Sequence, residues 1–191
     1  MIEKPTKTFN TTSVCNPSKH YMIPAIPRLP ELSDMIEGEC YFVIHAPLQS
    51  GKTTCLKALT KKINSTGKYY AIYCSLITLR NISNRKTAMK YIVARIIRGI
   101  SNSDAAEIRK LASTFDNSLF MDQPVTMVQN FLNSLCMALD RELVVFFDEA
   151  DCLLEAPLIT FLGQIRDGYL DRDDSPASRF PDRWPLWACG T

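Results

Sequence analysis

The sequence predicts an α/β domain: a central parallel β-sheet with helices on both faces. Short runs that are apolar almost throughout, CYFVIH, KYYAIYCS and LVVFF, alternate with longer segments of helical period. Strands buried on both faces read as continuous apolar runs, whereas half-solvated strands alternate polar and apolar residues. Strand–helix–strand succession gives parallel pairing, because the helix returns the chain to the edge where the first strand began. The 191 residues are enough for one such domain with a substantial core.

Residues 1–30 are rich in Thr, Ser, Asn and Pro and show no period, and Pro24, Pro27 and Pro30 break any long helix there. They form, with a short helix over Pro30–Ile36 that has Pro at its start, an extended lead of residues 1–36 packing near the core of residues 37–191. The core opens with a strand over Cys40–His45. A helix follows from Lys52 to about Asn64, ended by Gly67. The second strand is Lys68–Ser75. Ile92, Val93, Ile96, Ile97 and Ile100 recur at helical spacing and place a helix over Ala88–Ile100. Ser103 and Asp104 read as caps of a helix running to Thr114. Val128, Phe131, Leu132, Leu135 and Leu139 line one face of a helix over Val125–Leu139. Leu143–Phe147 is the third strand, Ala156–Leu170 a helix, and Pro185–Cys189 a last strand. No internal repeat or low-complexity stretch is visible.

The apolar share of 46% and charged share of 22% are those of an ordinary globular protein. A net charge of +2 gives no indication of nucleic acid or a membrane surface as partner. The two signs are interspersed, and Lys61, Lys62 and Lys68 gather at a solvated helix end. No apolar run approaches the ~20 residues of a membrane span, and the first residues lack the apolar stretch of a signal peptide. A cytoplasmic protein is expected. The seven cysteines are scattered and odd in number without a CxxC pair, so neither a disulfide framework nor a zinc ribbon is indicated. Cys15 and His20 have only His45 as a further histidine, too few ligands for structural zinc.

The chemistry concentrates at two strand ends. The first strand runs into APLQSGKTT, Ala46 to Thr54, which fits the phosphate-loop pattern G-x-x-x-x-G-K-[ST] with Ala46 at the first glycine position. Such a loop curls so that successive backbone N–H groups face phosphate oxygens. Ala46, Pro47, Gln49, Ser50, Gly51, Lys52, Thr53 and Thr54 are therefore the candidate nucleotide-binding residues. Gly51 allows close approach of the main chain, Lys52 supplies an ammonium for the β- and γ-phosphates, and Thr53 supplies a hydroxyl to Mg²⁺. The helix that follows adds the positive end of its dipole. Ala46 is acceptable for glycine wherever its backbone stays at negative φ. A GKT triplet is weak alone; its place between a predicted strand and a predicted helix makes it specific.

The third strand ends in Asp148-Glu149, the Walker B arrangement. Asp148 is a candidate Mg²⁺ ligand through water, and Glu149 a candidate base for the attacking water. The alternative, that both acids cap the next helix, is less favoured with a phosphate loop upstream. Asp151 reads as a cap or surface acid.

With both motifs identified, the chain resembles a family of prokaryotic AAA-type ATP-binding proteins near the STAND and archaeal ATPase groups. FNTTSVCNPSKHYMIP, YFVIHAPLQSGKTT, VVFFDEAD and LITFLGQIRDGYL carry the likeness, which runs to about Pro181. It implies a three-layer P-loop NTPase fold, incomplete at the C-terminus, binding ATP with Mg²⁺, and an adenine partly covered by the lead. Tyr21, Met22 and Ile23 are then candidates for adenine contacts; an apolar triplet serves equally to anchor the lead to the core. The family usually has Arg where this chain has Leu48. A Gly-x-Arg-Asp segment, a helical lid and further domains follow the last strand in the family, and this chain shows none of them.

Asp182, Arg183, Trp184 and Pro185 are poor material for a buried strand, and a frameshift after about Pro181 would account for them. Back-translating Asp182–Thr191 with permitted codons and reading from the third base yields Ser-Val-Ala-Leu-Val-Gly-Met-Arg-Asp, a family-like strand and its continuation. Both Trp codons in that reading are forced. The expectation is a truncated ATPase domain with slow or no turnover, whose full-length relative hydrolyses ATP, assembles with copies of itself and acts on an unidentified protein partner. A nucleotide-dependent switch without turnover and an inactive fragment are the rival readings. A small-molecule kinase is disfavoured because Arg166, Arg172 and Arg179 are dispersed rather than gathered in a lid. The choice of ATP over GTP rests on the resemblance, since no Asn-Lys-x-Asp motif occurs.

Overall fold

The computed structural model describes residues 6–10, 15–16, 18–22, 31–38, 40–45, 47, 50–112, 123–174 and 186–190, with side chains up to residue 170. The elements are α1 (Glu31–Glu37), β1 (Phe42–Ile44), α2 (Lys52–Thr66), β2 (Tyr69–Ser75), α3 (Arg85–Ser101), α4 (Ala106–Leu111), α5 (Met127–Ala138), β3 (Glu142–Asp148), α6 (Glu155–Asp174) and β4 (Leu186–Gly190). Single 3₁₀ turns follow β2 and β3 at Ile77–Leu79 and Ala150–Cys152.

The four strands form one parallel sheet in the order β1-β4-β3-β2. Strand residues alternate between two cores, which is what a period of two dictates. Tyr69, Ala71, Val144 and Phe146 face Leu56, Leu59 and Ile63 of α2 and Leu32 and Ile36 of α1. Tyr70, Ile72, Leu143, Val145 and Phe147 face the other way, into a larger core with α3, α4, α5 and α6. Helices thus cover both faces, and each fully buried Leu, Ile, Val or Phe contributes about 1.5–3 kcal/mol relative to an exposed one. Continuous apolar strands such as LVVFF are the sequence imprint of this double burial.

The helix termini explain themselves locally. Both caps of α2 are left-handed glycines, Gly51 (φ 89°) and Gly67 (φ 70°), a conformation that side chains disfavour. Asn84 caps α3 by accepting from Thr87 N–H at 2.9 Å. The helix opened by Ser103 and Asp104 differs from expectation. Its cap residue is Ala105, and the Ser103 hydroxyl accepts from Ala105 N–H at 3.3 Å. The described helix ends at Leu111, and residues 113–122 lie outside the described set.

β1 is shorter than the apolar run of Cys40–His45, because Cys40 N–H bonds back to Met35 C=O at 2.8 Å and so belongs to the turn after α1. β4 begins one residue after Pro185, while Asp182–Pro185 lie outside the described residues. In the lead, Thr8 and His20 form a parallel bridge. No described helix is long and apolar enough to cross a membrane.

Candidate functional site

The two motifs meet at the C-terminal edge of the sheet. Gly190 of β4 aligns with Ile44 on one side and Asp148 on the other. β4 therefore separates the strand that leads into the loop from the strand that carries the acids. Adjacent strands are about 4.8 Å apart, so the two motifs start roughly 10 Å apart and must be joined by side chains.

α2 makes that connection. Gly51 turns the chain into the helix, Cys55 N–H bonds to Gly51 C=O at 2.9 Å, and Lys52, Thr53 and Thr54 fill the first turn, all half-buried. Thr53 Oγ1 donates to Asp148 Oδ2 at 2.6 Å across 95 positions of sequence. Of the remaining loop residues, Pro47 is exposed and its carbonyl accepts from Ser50 N–H at 3.3 Å. Ala46, Leu48 and Gln49 lie outside the described residues.

Asp148 ends β3 and is only 2% exposed. Burying a carboxylate costs free energy unless donors replace its water. Two hydroxyls do so at one oxygen: Thr53, and Tyr73 OH at 2.7 Å. Both are short hydrogen bonds from a hydroxyl to a carboxylate oxygen. Burial, then the bond to Asp148 and its charge, pushes the Tyr73 phenol well above the ordinary tyrosine range. Lys57, one turn beyond Thr53, holds its ammonium 5.0 Å from the Tyr73 ring centroid. The main chain is fixed as well, since Asp148 C=O accepts from Leu76 N–H at 2.9 Å.

Glu149 is half-buried and left-handed, with φ 61° and ψ 39°. Among the described residues it is the one non-glycine at positive φ. That conformation costs of order 1–3 kcal/mol and persists where the surroundings over-determine it. Here buried neighbours on both sides, Asp148 and Ala150, and a 3.1 Å bond from Cys152 N–H to Glu149 C=O hold it. The bend breaks the alternation of the strand, so Glu149 is aimed independently of Asp148. Asp151 is exposed within the 3₁₀ turn.

Tyr21 is 49% exposed, and its ring lies 5.2 Å from that of Phe9. Its backbone N–H bonds to Thr8 C=O at 3.0 Å. Met22 is half-buried and Ile23 lies outside the described residues. Tyr73 and Lys57 are the members of the cluster that no motif indicated. Only the pairing of β2 with β3, Tyr73 opposite Phe146 and Ser75 opposite Asp148, brings the phenol to the acid.

No protein-family model matches this chain, and no curated protein matches it in sequence.

Proposed function

We propose that this chain is an ATP-binding domain of AAA type that grips Mg²⁺-ATP at the C-terminal edge of its sheet. The observation that carries this reading is the 2.6 Å hydrogen bond between Thr53 and Asp148. A hydroxyl in the first turn after a glycine loop and a carboxylate at the end of a buried apolar strand are the two oxygen groups that a phosphate-loop site needs together. The strand order adds support. β1 and β3 are separated by β4, and ligands of open α/β sheets bind at the carboxyl ends of strands where the chain direction across the sheet reverses.

The donor set fits Mg²⁺. Thr53 and Asp148 offer hard oxygens, and this ion takes few protein ligands, completing its shell with water and phosphate. Thr53 and Asp148 would hold the ion, which when bound neutralises phosphate charge. The N–H groups of Gly51, Lys52, Thr53 and Thr54, with the dipole of α2, would hold phosphate oxygens, and the Lys52 ammonium would meet the outer phosphates. Glu149 would accept the proton of the attacking water.

Titration with a fluorescent ATP analogue and Mg²⁺ tests the proposal. Lys52→Ala should weaken binding at least about tenfold, a loss no larger than one charge-assisted contact, with thermal melting unchanged. Glu149→Gln should bind like the parent and abolish whatever phosphate release the parent shows. Equal affinity of parent and Lys52→Ala would remove the phosphate site, and an equal, measurable turnover of parent and Glu149→Gln would remove the base.

A further inference from the structure

Between Glu39 and Asp104 the chain contains eleven Lys and Arg and not one Asp or Glu. All 20 acids lie outside that stretch, and the net charge of +2 is the residue of two opposed populations. The signs are therefore segregated, contrary to the interspersion read from the whole chain. The stretch spans α2, β2 and α3, so the fold gathers its charge around the β2 edge of the sheet.

The outer side of α3 carries part of it. Arg98 is exposed and Lys90 and Arg95 are half-exposed there, whereas Arg85, one turn before Met89 and two before Ile92, lies on the core-facing stripe and is exposed only because it starts the helix. Arg95 bonds through Nη2 to Thr78 Oγ1, which ties the helix to the 3₁₀ turn after β2. Tyr91, 53% exposed, lies one turn before Arg95 and two turns before Arg98 on the same side. Lys90, Arg95 and Arg98 make no ion pair among the described residues.

The helix accepts this charge against its own interest. Its first turn carries Arg85 and Lys86 and no acid, where the positive end of the dipole favours acids. Lys86 and Lys90 are a like-charge pair at i,i+4, and Arg95 and Arg98 at i,i+3. A helix face that is merely solvated mixes signs at these spacings. Local rules broken together point to a requirement outside the helix.

We propose that the outer face of α3, with Lys90, Arg95 and Arg98, binds nucleic acid along its phosphate backbone, with Tyr91 as a stacking platform for an unpaired base. Arginine prevails over lysine, as suits planar contacts to phosphate, and one exposed aromatic amid cations is the pattern of single-strand binding. A membrane surface fits less well, because an interfacial helix inserts an apolar face. Here Met89, Ile92, Val93 and Ile96 are already consumed by the core.

Fluorescence anisotropy of a labelled oligodeoxythymidylate with the full chain, without nucleotide, tests this apart from the phosphate site. The parent should bind with an affinity that falls steeply with KCl. Lys90→Gln/Arg95→Gln/Arg98→Gln should weaken binding at least about tenfold and lower the log–log salt slope by about two, at about 0.7 per phosphate contact. Arg95→Lys/Arg98→Lys should keep the slope. Tyr91→Ala should weaken binding about tenfold at unchanged slope, the size of one stacking contact. No binding by the parent, or an unchanged affinity and slope in the Gln variant, overturns the proposal. So does equal affinity for polyglutamate or for phosphatidylglycerol vesicles.

Discussion

A single carboxylate oxygen, Asp148 Oδ2, takes hydrogen bonds from both Thr53 and Tyr73. On the proposed function these donors have different fates: Thr53 would turn to the metal, while Tyr73 stays to orient the acid. Groups that orient metal ligands typically matter 10–100-fold in affinity. Tyr73→Phe should therefore raise the Mg²⁺ concentration for half-maximal ATP-analogue binding about tenfold or more, and leave metal-free nucleotide binding unchanged. A purely structural tyrosine would move both or neither. The raised phenol pKa has its own signature. Its stabilisation is fully present below the unfolded tyrosine pKa of about 10. It is lost as pH rises further, because the unfolded chain releases the proton first. Urea midpoints measured across that range should fall more for the parent than for Tyr73→Phe. Lys52, Thr53, Asp148 and Glu149 were legible in the sequence because each sits in a motif beside an apolar run. Tyr73 was not, because its role depends on strand register, which no local pattern encodes.

The elements are tied by polar side chains placed where backbone groups lack partners. β2 is an edge strand, and Asn64 from α2 closes part of that edge. Its carboxamide accepts from Ala71 N–H at 2.8 Å and donates to Ala71 C=O at 2.9 Å, as a neighbouring strand would. Gln164, 2% exposed on α6, does similar work for α5. Its Oε1 accepts from Val128 N–H at 2.8 Å, and its Nε2 donates to Pro124 C=O at 3.1 Å. Gln164→Leu keeps the volume and strands those groups. At about 1–3 kcal/mol per unsatisfied buried group, urea denaturation should show a loss of about 2–4 kcal/mol. A change below about 0.5 kcal/mol, the range of ordinary surface substitutions, would mean that water replaces the amide. Helix existence was readable from apolar period, as in α3 and α5. These clamps were not, since a lone Gln or Asn in a helical segment carries no spacing signal.

At the scale of the molecule, the order β1-β4-β3-β2 makes the sheet depend on its last strand. Among the described residues β1 pairs only with β4, and without β4 the strand β3 loses one side. Deleting residues 186–190 should abolish a single cooperative melt and expose apolar surface to a hydrophobic dye, whereas a two-state transition like the parent's would show that β4 is dispensable. The alternation of apolar runs and helices gave the layered α/β class, because periodicity reports burial. The order of strands escaped it, because which strand lies beside which is a long-range choice. The segregation of charge was present in the letters yet vanished in the average, since +2 sums two regions of opposite sign.

The position of β4 also has a consequence in time. A ribosome delivers the chain from the N-terminus, so α2 and the acids of β3 emerge well before Gly190, the residue that aligns with both of their strands. A nascent chain can collapse its larger core, which includes Phe147 and Ala150 beside the acids, while the strand that leads into the loop still lacks its neighbour. The loop and the acids are therefore brought into register only when β4 pairs with both of their strands.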